Sequence, residues 1–154
     1  MNSRVPFRKS GCFGCLVLLG LLAVFLIGLN WILFGNHAEW AEHVTSYGRA
    51  PAGARDISWY ESRNISGNVA FEFLLPETEF KAWAEGQNWL LEEITPTRPP
   101  VLPWTPSMFI HKNDVLTPEV TTGLFYEKRA GNGGGVTAVY DRATSRVYIH
   151  RSSR

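Results

Sequence analysis

Cys12 and Cys15, in the run CFGC, are the only cysteines of the chain. A C-x-x-C pair does redox chemistry when it sits beside a βαβ pattern, and none follows. A structural zinc site takes four ligands, and no further Cys or His lies close enough in sequence to complete one. The pair therefore reads as small apolar residues at the start of a helix, with reversible acylation as the open alternative. Beyond Cys15 there is no thiol, so the rest of the chain carries neither a disulfide nor a Cys-ligated metal.

The other chemistry-bearing residues are scattered. His37 and His43 follow a long apolar run, His111 lies in a proline-rich stretch and His150 in a strand-like one, without H-E-x-x-H or similar ligand spacing. Ser107, His111 and Asp114 are neighbours in sequence, but triads are assembled by folding rather than by local spacing. The glycine run AGNGGGV (Ala130–Val136) lacks the Lys-Ser/Thr of a phosphate loop and precedes a strand, which makes it a hairpin connection. PxxP spacing at Pro100, Pro103 and Pro106 suits a stiff polyproline connector over the surface, with Trp104 tucked into the core. Asn64–Ser66 has the glycosylation acceptor pattern. Glu92 and Glu93 are adjacent carboxylates at a helix end, where they read as solvated. None of this implies a cofactor, a metal site or a catalytic residue.

The elements that position these residues begin with a membrane anchor. From Cys12 to Phe34 the chain carries no charge, long enough for a helix of roughly 34 Å against a hydrocarbon core of about 30 Å. A cleavable signal has an apolar region of only ~7–15 residues and small residues at the cut, and FGNHAEW supplies no such site. Fifteen Leu, Ile, Val and Phe residues between Phe13 and Phe34 contribute on the order of −6 kcal/mol to insertion. Arg4, Arg8 and Lys9 precede the span, whereas Glu39 and Glu42 follow it before the first cation, Arg49. Positive residues stay inside, so residues 1–11 form a cytoplasmic tail, 12–34 a single transmembrane helix in the cell membrane, and the remainder lies outside the cytoplasm.

After the anchor, residues 35–55 read as a short helical continuation and a linker broken by Gly48, Pro51 and Gly53. Residues 56–154 read as an extracytoplasmic α+β domain: two strands (DISWYES, NVAFEFLL), one main helix from Pro76 to Ile94, and three more strands (TTGLFYEKR, VTAVYDR, RVYIHR). That is ββαβββ, a mostly antiparallel sheet of about five strands packed on one helix. Alternation places Ile57, Trp59, Val69, Phe71, Phe73, Val147 and Ile149 toward the helix. Tyr60, Glu72, Tyr148 and His150 then face the other way, with Arg146 and Arg151 near the strand ends. Aromatic and Arg residues on an open face are typical of binding hot spots. Tyr60, Glu72, Arg146, Tyr148 and His150 are therefore the expected partner-binding set, with Tyr148 dispensable for stability.

Charge is uneven. From Asn36 to Glu127 there are thirteen acids and six cations, whereas Lys128 to Arg154 has six cations and one acid, Asp141. Either the basic strands meet an anionic partner or they pair with the acidic part of the same domain. The near-balanced total argues against nucleic acid. The expected function is thus a membrane-anchored binding or assembly module with no catalytic role, contacting the bilayer through 12–34 and a protein or envelope partner through the sheet. Two rivals remain: a small envelope hydrolase using His111 or His150 with a carboxylate, and a structural subunit of a membrane complex.

Overall fold

The computed structural model describes residues 11–34, 37–63, 67–111 and 115–153. Expectations about Arg4, Arg8, Lys9, Asn64, Asp114 and the side chains of Cys12 and Cys15 lie outside the described residues. The chain divides into two units, Met1–Gly35 and Asn36–Arg154.

The first unit contains helix α1, Gly11–Phe34. Its side chains are described over 17–30, where leucines one position apart are both open, Leu18 at 70% and Leu19 at 62%. Neighbours on a helix point about 100° apart, so apolar surface is displayed around the circumference rather than along one stripe. Among the described residues no helix is long and apolar enough to cross a membrane.

The second unit is α+β, with one seven-stranded antiparallel sheet and short helices. In chain order it comprises β1 (His37–Val44), β2 (Arg55–Arg63), β3 (Asn68–Leu74), α2 (Glu77–Gly86), β4 (Glu92–Ile94), α3 (Pro106–Ile110), β5 (Gly123–Arg129), β6 (Gly135–Asp141) and β7 (Arg146–Ser152). The sheet order is β1-β2-β3-β7-β6-β5-β4. Two meanders, β1-β2-β3 and β5-β6-β7, thus meet along the β3–β7 seam.

Two expectations about elements are corrected. Residues 37–44 form a strand rather than a helical continuation of the anchor, and they pair with β2 from His37↔Arg63 to Ala41↔Trp59. The Ala and Glu content of HAEWAEHV favours helix locally, but ladder hydrogen bonds and packing against the sheet outweigh a preference of a few tenths of a kcal/mol per residue. The main helix also stops at Gly86 instead of running to Ile94. Asn88 takes φ 58 and Trp89 N–H returns to the Ala84 carbonyl at 3.0 Å, with Asn88 N–H on Glu85 at 2.9 Å. That is a Schellman ending, for which Asn is the usual substitute when Gly does not occupy the left-handed position. Freed from the helix, Glu92–Ile94 pairs with β5 and becomes the opposite edge of the sheet.

The alternation expected for the core face holds. Ile57, Phe71, Phe73, Val147 and Ile149 form one buried cluster with Phe80 of α2, and Trp59 and Val69 pack against it. Tyr47, from the β1–β2 connection, stacks on Trp59 with ring centroids 5.0 Å apart. The second face is covered as well. Ile94, Val120, Val139 and Tyr148 make a smaller core there, flanked by Val101 and Phe125, beneath the segment between β4 and β5. Pro103 and Pro106 from that segment are fully buried. The proline connector thus closes the face that the sequence left open.

Candidate functional site

Cross-strand register fixes which side chains share a face, because directly paired residues point the same way. One row on the second face runs Trp40, Tyr60, Ala70, His150, Thr137, Glu127, and the next runs Ser58, Glu72, Tyr148, Val139, Phe125. Tyr60, Glu72, Tyr148 and His150 therefore do lie on one side of the sheet, as alternation predicts. They do not form one accessible patch.

Tyr148 is 6% exposed and belongs to the smaller core. Burial, with Glu72 nearby, pushes its hydroxyl up to about 12. Glu72 and Arg146 are spent on each other at 3.2 Å, and Arg146 also bonds Asp56. Burial raises the Glu72 carboxyl above its ordinary value while Arg146 opposes the shift. Tyr60 is stacked under Phe109 of α3, centroids 4.9 Å apart. Of the expected set, His150 alone lines a groove.

That groove has a cavity of about 170 Å³, lined by Trp104, Thr137, His150, Ser152, residues Glu127–Arg129 of β5 and the Gly133–Gly135 turn. Trp104 is 48% exposed rather than tucked into the core, and its ring lies 5.3 Å from the His150 ring and 5.9 Å from Phe109. His150 Nε2 is buried and makes no hydrogen bond. Burial lowers the His150 pKa, so the ring is neutral near pH 7. The Gly133–Gly135 turn forms one wall of the groove, and a Cβ at Gly135 would stand 2.6 Å from the Lys128 carbonyl oxygen across the hairpin. The wall can come this close only without side chains. Trp104 was the residue that sequence reasoning misplaced: an aromatic among prolines gives no periodicity by which to tell core from rim.

A second polar cluster was not anticipated. His43 and Asp56 both adopt positive φ, 54 and 50, at matched irregularities in the β1–β2 and β2–β3 pairings. His43 Nδ1 lies 2.6 Å from Asp56 Oδ1, and Arg146 holds the other carboxylate oxygen. The bond to Asp56 raises the His43 pKa, and the same bond, aided by Arg146, lowers that of Asp56. The His43 contribution to stability is complete below its ordinary value of 6.5 and is lost as pH rises through its raised value. The Asp56 contribution is present above the ordinary carboxylate value and is lost as pH falls through its lowered one. Asp56→Asn is expected to return the His43 titration, followed by imidazole NMR, toward 6.5. An unchanged midpoint would mean that the bridge does not form in solution.

The two histidines suited to a hydrolase each meet half of that requirement. His111, at the end of α3, has Glu42 Oε1 at 3.2 Å from its Nε2, but both side chains are well exposed and outside the groove. His150 lines the groove and has no carboxylate on its buried nitrogen. General base catalysis needs the base, its orienting acid and a substrate cleft together. Among the described residues, no group of three or more His, Cys, Asp or Glu side chains is placed to hold a metal.

The charge asymmetry is met in part within the domain, at Arg129, Arg142 and Arg146. Arg142, in the β6–β7 turn, bonds Glu77 of α2 at 2.8 and 2.9 Å and Glu93 of β4 at 3.2 Å. Arg142 and Lys81 hold the Glu77 carboxyl down at about 2. No protein-family model, no curated protein and no solved structure matches the chain.

Proposed function

We propose that the chain is a membrane-tethered binding module. Residues 12–34 lie in the bilayer, the N-terminus is cytoplasmic, and the β-sheet domain outside the cytoplasm captures a protein partner through the Trp104–His150 groove. The observation that carries this reading is the pairing of an exposed indole with a buried, unbonded imidazole nitrogen at one small cavity. A cavity of about 170 Å³ is smaller than the ~300–1,000 Å³ of typical small-molecule sites and matches a single inserted side chain. An aromatic anchor ringed by polar groups is how protein interfaces concentrate their energy. Support for the tether comes from the apolar circumference of α1 and from the basic residues before it.

The test uses the full chain, tagged at its N-terminus, in intact cells. Protease added outside should remove the sheet domain and spare the tag. Proteins crosslinked to the chain in the membrane should be lost from Trp104→Ala, by tenfold or more, without a change in melting temperature beyond a few degrees. Protection of the domain refutes the topology, and retention of the crosslinked set by Trp104→Ala refutes the groove.

A further inference from the structure

At the end of the sheet where β2 and β7 finish lies a second and larger cavity of about 340 Å³. Arg49, Arg63 and Arg151 line it, together with Glu61, Ser62, Ser152 and Ser153. Arg49 comes from the β1–β2 connection, Arg63 from the end of β2 and Arg151 from β7, so three guanidinium groups reach one cavity from three segments. Glu61 is the acid among them. It accepts from Arg49 at 2.8 Å and lies 3.7 Å from Arg63, which leaves the cluster with a net charge of about plus two.

Arg151 is the residue that the fold itself does not account for. Two arginines among the described residues are half-buried, Arg146 and Arg151. Arg146 is matched by Asp56 and Glu72. Arg151 has no carboxylate partner, and its Nε is buried without a hydrogen bond. Its guanidinium lies 5.9 Å from the centre of the Trp89 ring, a cation–π contact that positions the group but does not neutralise it. Tyr47 adds a second unused atom. Its hydroxyl is buried with no hydrogen bond of good geometry, though Arg49 and Glu61 are near enough to bias its ionisation. A buried donor on a cation is costly to leave uncompensated, so a fold that retains it beside an open cavity has a use for it there.

We propose that this cavity binds a phosphate group. The reasons are the net positive charge, the unmatched Arg151 and the serine hydroxyls around it. Three guanidinium groups arriving from different segments suit an oxyanion with three or more acceptor oxygens better than a planar carboxylate with two. The volume leaves room for a substituent on the phosphate, as in a small phosphate ester or a phospholipid headgroup. This cavity shares Ser152 with the Trp104–His150 groove but none of its three arginines line that groove, and the proposal does not depend on the partner reading.

The test places the full chain in galactolipid nanodiscs, whose lipid carries no phosphate, and follows the Arg151 Nε–H resonance, assigned from its loss in Arg151→Lys. Inorganic phosphate is expected to shift it saturably, whereas chloride at equal ionic strength is not. Arg151→Lys and Arg63→Gln are each expected to weaken phosphate binding, measured by calorimetry, by tenfold or more. Arg63 is 70% exposed, so the Arg63→Gln variant keeps its fold even if the Arg151 variant does not. Replacing a third of the lipid with phosphatidylglycerol separates the sources. A shift produced by the anionic disc, competed away by inorganic phosphate, identifies a lipid headgroup. A response to free phosphate with none to the anionic disc identifies a soluble ester. The proposal is overturned if neither probe moves the resonance, if chloride moves it equally, or if Arg63→Gln binds phosphate as the parent does.

Discussion

Gly123→Ala is expected to cost on the order of 4 kcal/mol, combining backbone strain with overpacking against rigid atoms. Gly123 is flanked by two strands, paired with Ile94 of β4 and Asp141 of β6. Its φ is 152, and a Cβ there would stand 1.8 Å from the carbonyl oxygen of Tyr140. The obstacle is paired backbone at the end of the β5–β6 ladder, so no side chain can swing aside to make room. Either the two strands separate or the residue changes its dihedrals, and both break pairing with β4. With a urea dependence of about 2 kcal/mol per molar, the unfolding midpoint should fall by roughly 2 M. Gly131→Ala is the control, because a Cβ at that position meets nothing within 4 Å. A Gly123→Ala midpoint within a few tenths of a molar of the parent would mean that Gly123 does not approach the Tyr140 carbonyl this closely in solution.

Tyr148→Ala is expected to destabilise the domain by about 3–4 kcal/mol, in the range for a buried aromatic truncated to alanine. The side chain is 6% exposed and packs with Ile94, Val120 and Val139. Its removal opens a cavity under the segment that carries Pro103, Trp104 and Pro106, so the groove should lose its wall along with the stability. Tyr148→Phe keeps the ring and should cost less than about 1.5 kcal/mol. Thermal melts of the pair separate a packing role from a surface role. Near-equal melting temperatures for Tyr148→Ala and the parent would restore the solvent-facing position that alternation alone implies.

These two positions show where the sequence could be read and where it could not. Alternation in NVAFEFL and RVYIH assigns the core face correctly, because strand geometry sends successive side chains to opposite sides whatever covers them. It says nothing about whether the second face is covered. Val101 and Val120, which pack with Tyr148, and the buried Pro103 and Pro106 come from a stretch with no period, and only the folded path shows that this stretch covers the second face. The β1 strand was hidden for a different reason: Ala and Glu report local helix preference, and the edge position that overrides it is a property of β2. Asn88 was legible in principle, as an Asn shortly after an apolar helical stripe, but the hydrophobic spacing through Leu91 and Ile94 concealed the stop. The candidate sites were the least readable. His150 was found by parity, whereas Trp104, the His43–Asp56 bridge and the Arg49–Arg63–Arg151 cluster join segments that share no sequence signal.

The seam between the meanders has a consequence for how the domain is made. β7 follows every other strand in the chain yet sits at the centre of the sheet, between β3 and β6. Partners across the seam are far apart, with Glu72 and Arg146 separated by 74 positions. During synthesis, β1, β2 and β3 emerge as a meander whose inner edge has no neighbour, and β5 and β6 wait in the same condition. Neither half can bury its aromatic face until one late strand arrives to join them, so contact order is high and folding is correspondingly slow. In that interval the free edge of β3 is the place where a neighbouring nascent chain would pair by mistake. A ribosome that stops short of Val147 would release two half-sheets with exposed Phe71 and Phe73, a product for proteases to clear rather than a weakened version of the domain.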